Sequence, residues 1–112
     1  MKIAFTTKGS QWDSKMDPRF GRTEYFLIYD ETADTLTAVN NKDTENEAHG
    51  AGPKAAQRLA EQKAKILITG NGPGGNAATV LQKLGVDCYI NAGDMSVKEA
   101  YEAFKAGQLK KL

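Results

Sequence analysis

Two hydrophobic patterns divide the chain, and the first predicts three β-strands within the N-terminal 40 residues. Apolar and polar positions alternate over 2–7, and 25–29 is a run of aromatic and branched residues typical of a strand. A short polar connection returns the chain through 36–39, which predicts a hairpin. The segment 40–47 is polar and without a period, and we expect it to be mobile.

The second pattern predicts helices that alternate with buried strands. Apolar residues recur at helical spacing over 53–64, 77–84 and 97–104. Between these stretches lie the short apolar runs 66–68 and 86–90, which suggest strands covered on both faces. The second half of the chain therefore predicts three amphipathic helices, with strands between them.

The predicted element order is β-β-β-α-β-α-β-α, an antiparallel meander followed by crossovers. We expect one α/β domain over 1–112, with a five-stranded mixed sheet and helices on both faces. Four residues are predicted to be buried in its core: Ile28, Leu67, Leu81 and Phe104.

Charge and composition narrow the classes of function. Fifteen basic and fourteen acidic residues give a net charge of +1, which argues against a nucleic-acid binder, and the lysines at 105, 110 and 111 suit a solvated helix end. A single cysteine forms no intramolecular disulfide, and the N-terminus lacks a signal-peptide pattern. No apolar stretch approaches the ~20 residues that span a bilayer. We therefore expect a cytoplasmic protein that binds neither nucleic acid nor membrane.

Six of the eleven glycines lie in two short loops, 49–53 and 70–76, and each loop opens a predicted helix. A glycine-rich helix start leaves backbone N–H groups free to face an anion. The alternative is that these glycines only shape a corner between loop and helix. Because both loops and the end of the first strand should reach the same edge of the sheet, two helix N-termini are expected to face one cleft.

Three side chains near these loops are candidates for binding. His49 is the only histidine, and it suits either a metal contact or a donor to a bound anion. Arg19 and Arg22 flank a tight turn, where a guanidinium suits a carboxylate or a phosphate. The alternatives are a solvent-exposed histidine without a role and arginines that brace the loop by pairing with Asp17 or a backbone carbonyl.

Other chemistry is sparse. Cys88 suits packing in a strand more than a nucleophile or cluster ligand, and Met16 and Met95 are either soft metal ligands or packing residues. Trp12 either covers the cleft or anchors its loop. No serine or cysteine has a recognisable base, and no set of carboxylates converges for metal-dependent hydrolysis. These features favour binding over catalysis.

The segments considered above, taken in order, resemble a known family. A Lys-Ile-Ala-Phe-Thr-Thr strand opens the chain, an Asp-Pro-Arg-Phe-Gly-Arg segment at 17–22 leads into the strand at 25–30, and both glycine loops follow. Over nearly the whole chain this is similar to the dinitrogenase iron–molybdenum cofactor biosynthesis family, which includes small stand-alone proteins and the cofactor-carrier domains of nitrogenase assembly. The glycine pair Gly74-Gly75 departs from it, because a bulkier residue is expected there.

The resemblance implies a ribonuclease-H-like three-layer α/β/α fold that lacks a nuclease's carboxylates on the first strand. It also implies a non-catalytic protein that binds or carries an iron–sulfur or iron–molybdenum cofactor or its precursor, with His49 contacting the metal. A cofactor-assembly protein is the expected partner, and the expected state is a monomer or a weak dimer. The cofactor-binding residues are predicted to be His49, Gly50, Gly52, Arg19, Arg22, Gly72, Gly74, Gly75 and Asn76.

Two other functions compete with this one. A regulatory or protein-interaction module would use the same cleft to bind an acidic partner without a cofactor. An enzyme acting on a small phosphorylated or carboxylated metabolite would need an acid–base pair, and the sequence shows none.

Overall fold

The computed structural model describes residues 1–43 and 51–112, which form six strands and three helices. The strands are β1 (Lys2–Thr7), β2 (Tyr25–Asp30), β3 (Thr35–Asn40), β4 (Ile66–Ile68), β5 (Asp87–Ile90) and β6 (Lys110–Lys111). The helices are α1 (Ala51–Glu61), α2 (Gly75–Lys83) and α3 (Val97–Lys105).

All six strands belong to one mixed sheet in the order β3-β2-β1-β4-β5-β6. The central strand β1 pairs antiparallel with β2 and parallel with β4, and β5 continues the parallel part. The meander and the crossovers predicted from the sequence are therefore confirmed. Because β1 and β4 are parallel neighbours, their carboxyl ends lie side by side along the same side of the sheet, which we call its carboxyl edge.

The predicted count of five strands is wrong at the C-terminus, where the structure has a sixth. Gly107 ends α3 with a φ of +73°, and the chain then returns along the open side of β5. Lys110 and Lys111 pair antiparallel with Ile90 and Tyr89, so they are not the solvated end of a helix. A polar strand of two residues carries no hydrophobic period, so the sequence does not predict it. It forms because the free edge of β5 offers backbone hydrogen-bond partners.

Helices cover both faces of the sheet. One face of the sheet packs against α1 and α2, through residues such as Leu59 and Leu81. The opposite face packs against α3, through Val97 and Ala100. The predictions of burial are confirmed for Ile28, Leu67 and Leu81, but Phe104 is only partly buried, with its ring edge-on to Tyr89 at 4.9 Å between centroids.

The start of the segment predicted to be mobile is ordered. Asn40 is the last residue of β3, and the side chain of Asn41 is fully buried. The side-chain amide of Asn41 donates through Nδ2 to the carbonyl oxygens of Gly21 and Thr23 at 3.1 and 3.0 Å. These acceptors lie about twenty positions earlier in the chain, so the residues next to Asn41 do not predict its burial. Residues 44–47 of that segment lie outside the described residues.

The N-terminal loop and α3 hold each other in place on the second face. Trp12 lies edge-on to Tyr29 at 4.9 Å between ring centroids and contacts the rings of Phe5 and Tyr101, so it anchors its loop. Ser96 caps α3 in a capping box, in which its side chain accepts from the Glu99 amide and the Glu99 side chain accepts from the Ser96 amide. Among the described residues, none of the helices is of the length and apolar character that a membrane crossing requires.

Candidate functional site

The carboxyl ends of β1 and β4 are joined by two threonine hydroxyls and by the loop at 17–22. Thr6 Oγ1 lies 2.8 Å from Thr69 Oγ1 and 2.7 Å from the carbonyl oxygen of Asp17. The Asp17 amide donates to the Thr6 carbonyl, and the Asn71 amide donates to the carbonyl of Pro18. Because Thr6 and Thr69 are fully buried, these bonds set the position of the loop against the sheet.

The Asp17 carboxylate is the centre of this loop. Arg19 reaches it with its backbone amide and with Nε and a terminal nitrogen of its guanidinium, each at 3.0 Å, and the Glu24 amide donates at 3.2 Å. Burial alone would raise the pKa of Asp17, but the hydrogen bonds and charge of Arg19 outweigh it and hold that pKa below its ordinary value of 3.8. The pairing of Arg19 with Asp17, which the sequence offered as one alternative for this arginine, is therefore present.

Arg19 retains an exposed surface while it makes this brace. Its side chain is 47% exposed, whereas that of Asp17 is fully buried. A bidentate pair restricts the rotamers of the arginine, and so it presents the remaining surface of the guanidinium in one orientation. The brace and a contact with an anion are compatible.

Asn41 ties the same loop to α1. Its side-chain oxygen accepts a hydrogen bond of 2.5 Å from Arg58, and the same guanidinium pairs with Asp43 at 2.6 Å. The hydrogen bonds of Asn41 to Gly21 and Thr23 complete a connection from the helix to the loop. The hydrogen bonds and charge of Arg58 hold the pKa of Asp43 far below its usual range.

Three segments meet closely at the start of α1. A methyl group on Gly21 would lie 2.9 Å from the backbone nitrogen of Gly52, and one on Gly52 would lie 3.0 Å from the Cβ of Ala77. Gly52 is the second residue of α1 and Ala77 the third of α2. The two helices therefore begin side by side, as the sequence predicted from the two glycine loops.

Gly70 serves the same close packing at the end of β4. A methyl group there would lie 2.5 Å from the Cα of Pro18 and 3.0 Å from the Cα of Gly93. Only glycine lets these three backbones approach each other. The glycines at 21, 52 and 70 are thus explained by contacts within the chain.

Gly74 and Gly75 are different. Both are exposed, and a methyl group on either would meet no atom of the described residues within 4 Å beyond its chain neighbours and its own helix. Gly74 is the N-cap of α2 with a φ of −66°, and over residues 1–43 and 51–112 no side chain caps this helix. Neither packing nor a positive φ requires glycine at these positions. We call the edge formed by Gly21, Gly52, Gly70, Gly74 and Gly75 the glycine rim.

Gly72 has a structural reason of its own. Its φ is +88°, and a methyl group would lie 3.2 Å from a side-chain carbon of Ile90 and 3.3 Å from one of Leu112. It turns the chain against β5 and the C-terminus. A contact between Gly72 and a cofactor stays a prediction.

The remaining predicted site residues are placed only in part. His49 and Gly50 lie outside the described residues. Asn76 is the second residue of α2. Arg22 is half-buried and directly follows Gly21 in the loop. Their contacts with a cofactor stay predictions.

The soft side chains do not gather at the rim. Cys88 is buried among the residues that pack against α1 and α2, and burial raises the pKa of its thiol to about 12. Met16 is buried in the opposite layer, where Met95 is partly buried. Over 1–43 and 51–112, no group of three or more His, Cys, Asp or Glu side chains is arranged to hold a metal ion.

Two residues of this site escaped the sequence reasoning. Thr69 directly follows the predicted strand at 66–68, so its place at the carboxyl end of a strand is a usable signal. Asn41 has no such signal, because its partners Gly21, Thr23 and Arg58 come from distant parts of the chain.

The fold and the rim define a small mixed α/β protein in which two helix N-termini converge beside the carboxyl ends of parallel strands. The chain belongs to the dinitrogenase iron–molybdenum cofactor family, whose model matches residues 1–107. This confirms the resemblance drawn from the sequence.

Two solved structures are similar over almost the full chain. The apo form of the orange protein from Desulfovibrio gigas is 34% identical, with a TM-score of 0.93, and the match covers 99% of this chain and 92% of that one. The NMR structure of a candidate NifB protein from Thermotoga is 38% identical, with a TM-score of 0.84 and the same coverage of 99% and 92%. No curated protein matches the chain.

Proposed function

We propose that this protein binds and carries an anionic metal–sulfur cofactor, either an iron–sulfur or iron–molybdenum cluster or its precursor, and catalyses no reaction on it. The observation that carries the proposal is the bare start of α2 beside the start of α1. Family membership and the similarity to the orange protein, whose structure is described as an apo form, support a role connected with a cofactor.

The glycine pair at the start of α2 supports close approach by a ligand. A glycine within a helix costs up to about 1 kcal/mol relative to alanine, and at Gly75, the first residue of α2, this protein gains no packing against the described residues and no special conformation from it. Gly74 is the N-cap, a position where glycine is favoured over alanine but a capping side chain is also common. A side chain at either position would add bulk at the N-terminal end of the helix, beside its first N–H groups. Glycine keeps them accessible to a large anion.

Electrostatics at the rim favour negative charge. The N-terminus of a helix carries a partial positive charge, and neither α1 nor α2 has an acidic residue in its first turn. Arg19 adds a guanidinium at the same edge of the sheet, oriented by Asp17. The sulfide periphery of a metal–sulfur cluster is the kind of anion that such donors hold.

The described residues suit a cluster that is bound through hydrogen bonds to its sulfide periphery more than a cluster whose metal ions are coordinated by side chains. They offer backbone amides and a guanidinium at the rim, and no set of metal ligands. A cofactor held in this way is easy to release, which suits a carrier. We assign His49 as the metal contact and a cofactor-assembly protein in the cytoplasm as the partner that supplies or receives the cargo. The ribonuclease-H-like sheet then acts as a binding scaffold.

Replacing Gly75 with valine should weaken cofactor binding about tenfold or more, because it obstructs at least one charge-assisted hydrogen bond worth about 1.5–3 kcal/mol. The measurement is an anaerobic titration with isolated iron–molybdenum cofactor and, separately, with a synthetic iron–sulfur cluster, followed by absorbance and by co-elution of metal. The matched control is Gln82→Val, which adds the same side chain at an exposed position later in α2.

Unfolding in urea separates binding from stability in this experiment. Both valine variants should keep a midpoint close to that of the parent protein, because Gly75 and Gln82 are exposed.

His49→Ala should show less metal-dependent absorbance than the parent protein in the same titration. If the parent protein binds neither cluster, the carrier function is wrong. A stoichiometric protein partner that persists with metal chelated would favour the interaction module.

A further inference from the structure

A pocket with aromatic walls lies on the face of the sheet that α3 covers, opposite the face where α1 and α2 pack. Its volume is about 490 Å³, and it is lined by Trp12, Tyr29, Lys98, Tyr101 and Glu102. We call it the aromatic pocket. Small-molecule sites in proteins have volumes of this order and combine apolar walls with a few polar groups.

The three rings of the aromatic pocket are held in fixed orientations. The hydroxyls of Tyr29 and Tyr101 donate to the carboxylates of Asp34 and Glu31, each at 2.7 Å. The centroid of the Trp12 ring lies 4.9 Å from that of Tyr29 and 5.8 Å from that of Tyr101, with the planes inclined at 71° and 57°. Rings fixed in this way bind a further aromatic ring with little loss of conformational freedom.

The indole N–H of Trp12 is a hydrogen-bond donor without an acceptor in residues 1–43 and 51–112, and it is open to solvent. The residue itself is half-buried. The N–H of a buried tryptophan usually finds a partner, so this donor is available to an acceptor that comes from outside the chain. A carboxylate is an acceptor of this kind.

Two opposite charges stand at the mouth of the aromatic pocket. Lys98 and Glu102 are exposed, line the pocket and lie one turn apart on α3. Glu99 is used in the capping box and Lys105 pairs with Glu31, but within the described part of the chain Lys98 and Glu102 have no ion-pair partner. A lysine that precedes a glutamate by four residues is the weaker order for pairing along a helix. Both charges are therefore available to a ligand.

We propose that the aromatic pocket binds a free aromatic α-amino acid. The ring of the ligand packs against Trp12, Tyr29 and Tyr101, its ammonium group faces Glu102, and its carboxylate faces Lys98. An aromatic amine alone would meet the like charge of Lys98, and an aromatic carboxylate alone would meet that of Glu102. Charge complementarity therefore selects a ligand that carries both charges beside its ring.

The fluorescence of Trp12 measures this binding in the metal-free protein, so the result is independent of the carrier function. Trp12 is the only tryptophan of the chain, and its emission therefore reports on the aromatic pocket alone. Titration with L-phenylalanine should give a saturable change with a dissociation constant of about 1 mM. L-Leucine carries both charges without an aromatic ring and should bind at least about fivefold more weakly.

Two analogues and two variants separate the roles of the charges. Lys98→Gln should weaken the binding of phenylpropionate, which has only the carboxylate, about two- to fivefold and should not weaken that of phenethylamine. Glu102→Gln should weaken the binding of phenethylamine by the same factor and should not weaken that of phenylpropionate. The matched controls Lys83→Gln and Glu61→Gln remove the same charges from exposed positions on α2 and α1 and should bind both analogues like the parent protein.

The indole N–H signal of Trp12 in nuclear magnetic resonance spectra gives a second readout of the same titration. If neither signal shows a saturable change at about 10 mM L-phenylalanine, the proposal is wrong. Equal affinity for L-leucine would overturn the role of the rings. Variants at Lys98 and Glu102 that affect both analogues alike would overturn the choice of a ligand with two charges.

Discussion

Replacing Leu67 with alanine should lower the free energy of unfolding by about 2–5 kcal/mol. Leu67 is the middle residue of β4, fully buried, and its neighbours across the sheet are Ala4 of β1 and Cys88 of β5. It belongs to the core between the sheet and the helices α1 and α2. Truncation removes apolar contacts and leaves a cavity that strands on both sides prevent from closing.

Urea unfolding followed by circular dichroism measures this loss. The control is Leu84→Ala, which removes the same atoms from a side chain that is 40% exposed and should change the free energy of unfolding by no more than about 0.5 kcal/mol. Equal midpoints for the Leu67→Ala variant and the parent protein would mean that β4 is not the centre of the core.

The second large effect concerns the loop beside the rim. Asp17→Asn should lower the free energy of unfolding by about 2–4 kcal/mol at pH 7. Each carboxylate oxygen of Asp17 accepts two hydrogen bonds: Oδ1 from the backbone amide and Nε of Arg19, and Oδ2 from a terminal nitrogen of Arg19 and the Glu24 amide. The NH2 group of an asparagine replaces one of these oxygens, so it places a donor against two donors. We expect less than for a fully buried ion pair, because the Arg19 side chain is 47% exposed.

The pH dependence of this effect has a definite sign. The folded-state pKa of Asp17 is lowered from 3.8, so the folded state favours the ionised carboxylate. Its contribution to stability is complete above the unfolded pKa and is lost as the pH falls through the folded pKa. The difference in unfolding free energy between the parent protein and Asp17→Asn should stay constant from about pH 7 to 5 and shrink below about pH 4.

Urea titrations at several pH values measure this difference, with Asp13→Asn as the control. Asp13 is an exposed carboxylate of the preceding loop, and its replacement should have little effect at any pH. A difference between Asp17→Asn and the parent protein that grows on acidification would contradict the assignment of Asp17 as an ionised brace.

The secondary structure could be predicted well wherever burial imposes a period. Ile66–Ile68 is an unbroken apolar run, and the structure covers it on both faces. The capping box at Ser96 is a local signal that needs no tertiary context. The sixth strand and the burial of Asn41 could not be predicted in this way, because both depend on partners far along the chain.

The candidate site was predictable in outline only. Two glycine loops at helix starts predicted a shared edge, and the contact of Gly52 with Ala77 confirms that edge. The sequence could not separate glycines needed for packing from glycines left bare. The contact of Gly70 with Pro18 and the open space around Gly74 and Gly75 make that distinction.

The sequence by itself determined the order of the elements up to the last helix, the buried strands and the family, because hydrophobic periods and short motifs are properties of contiguous residues. Only the tertiary structure decided which glycines carry a packing role, which carboxylate is buried and braced, and which segment pairs with the edge of β5. These properties depend on distances between segments remote in the chain, and such distances exist only once the sheet has formed.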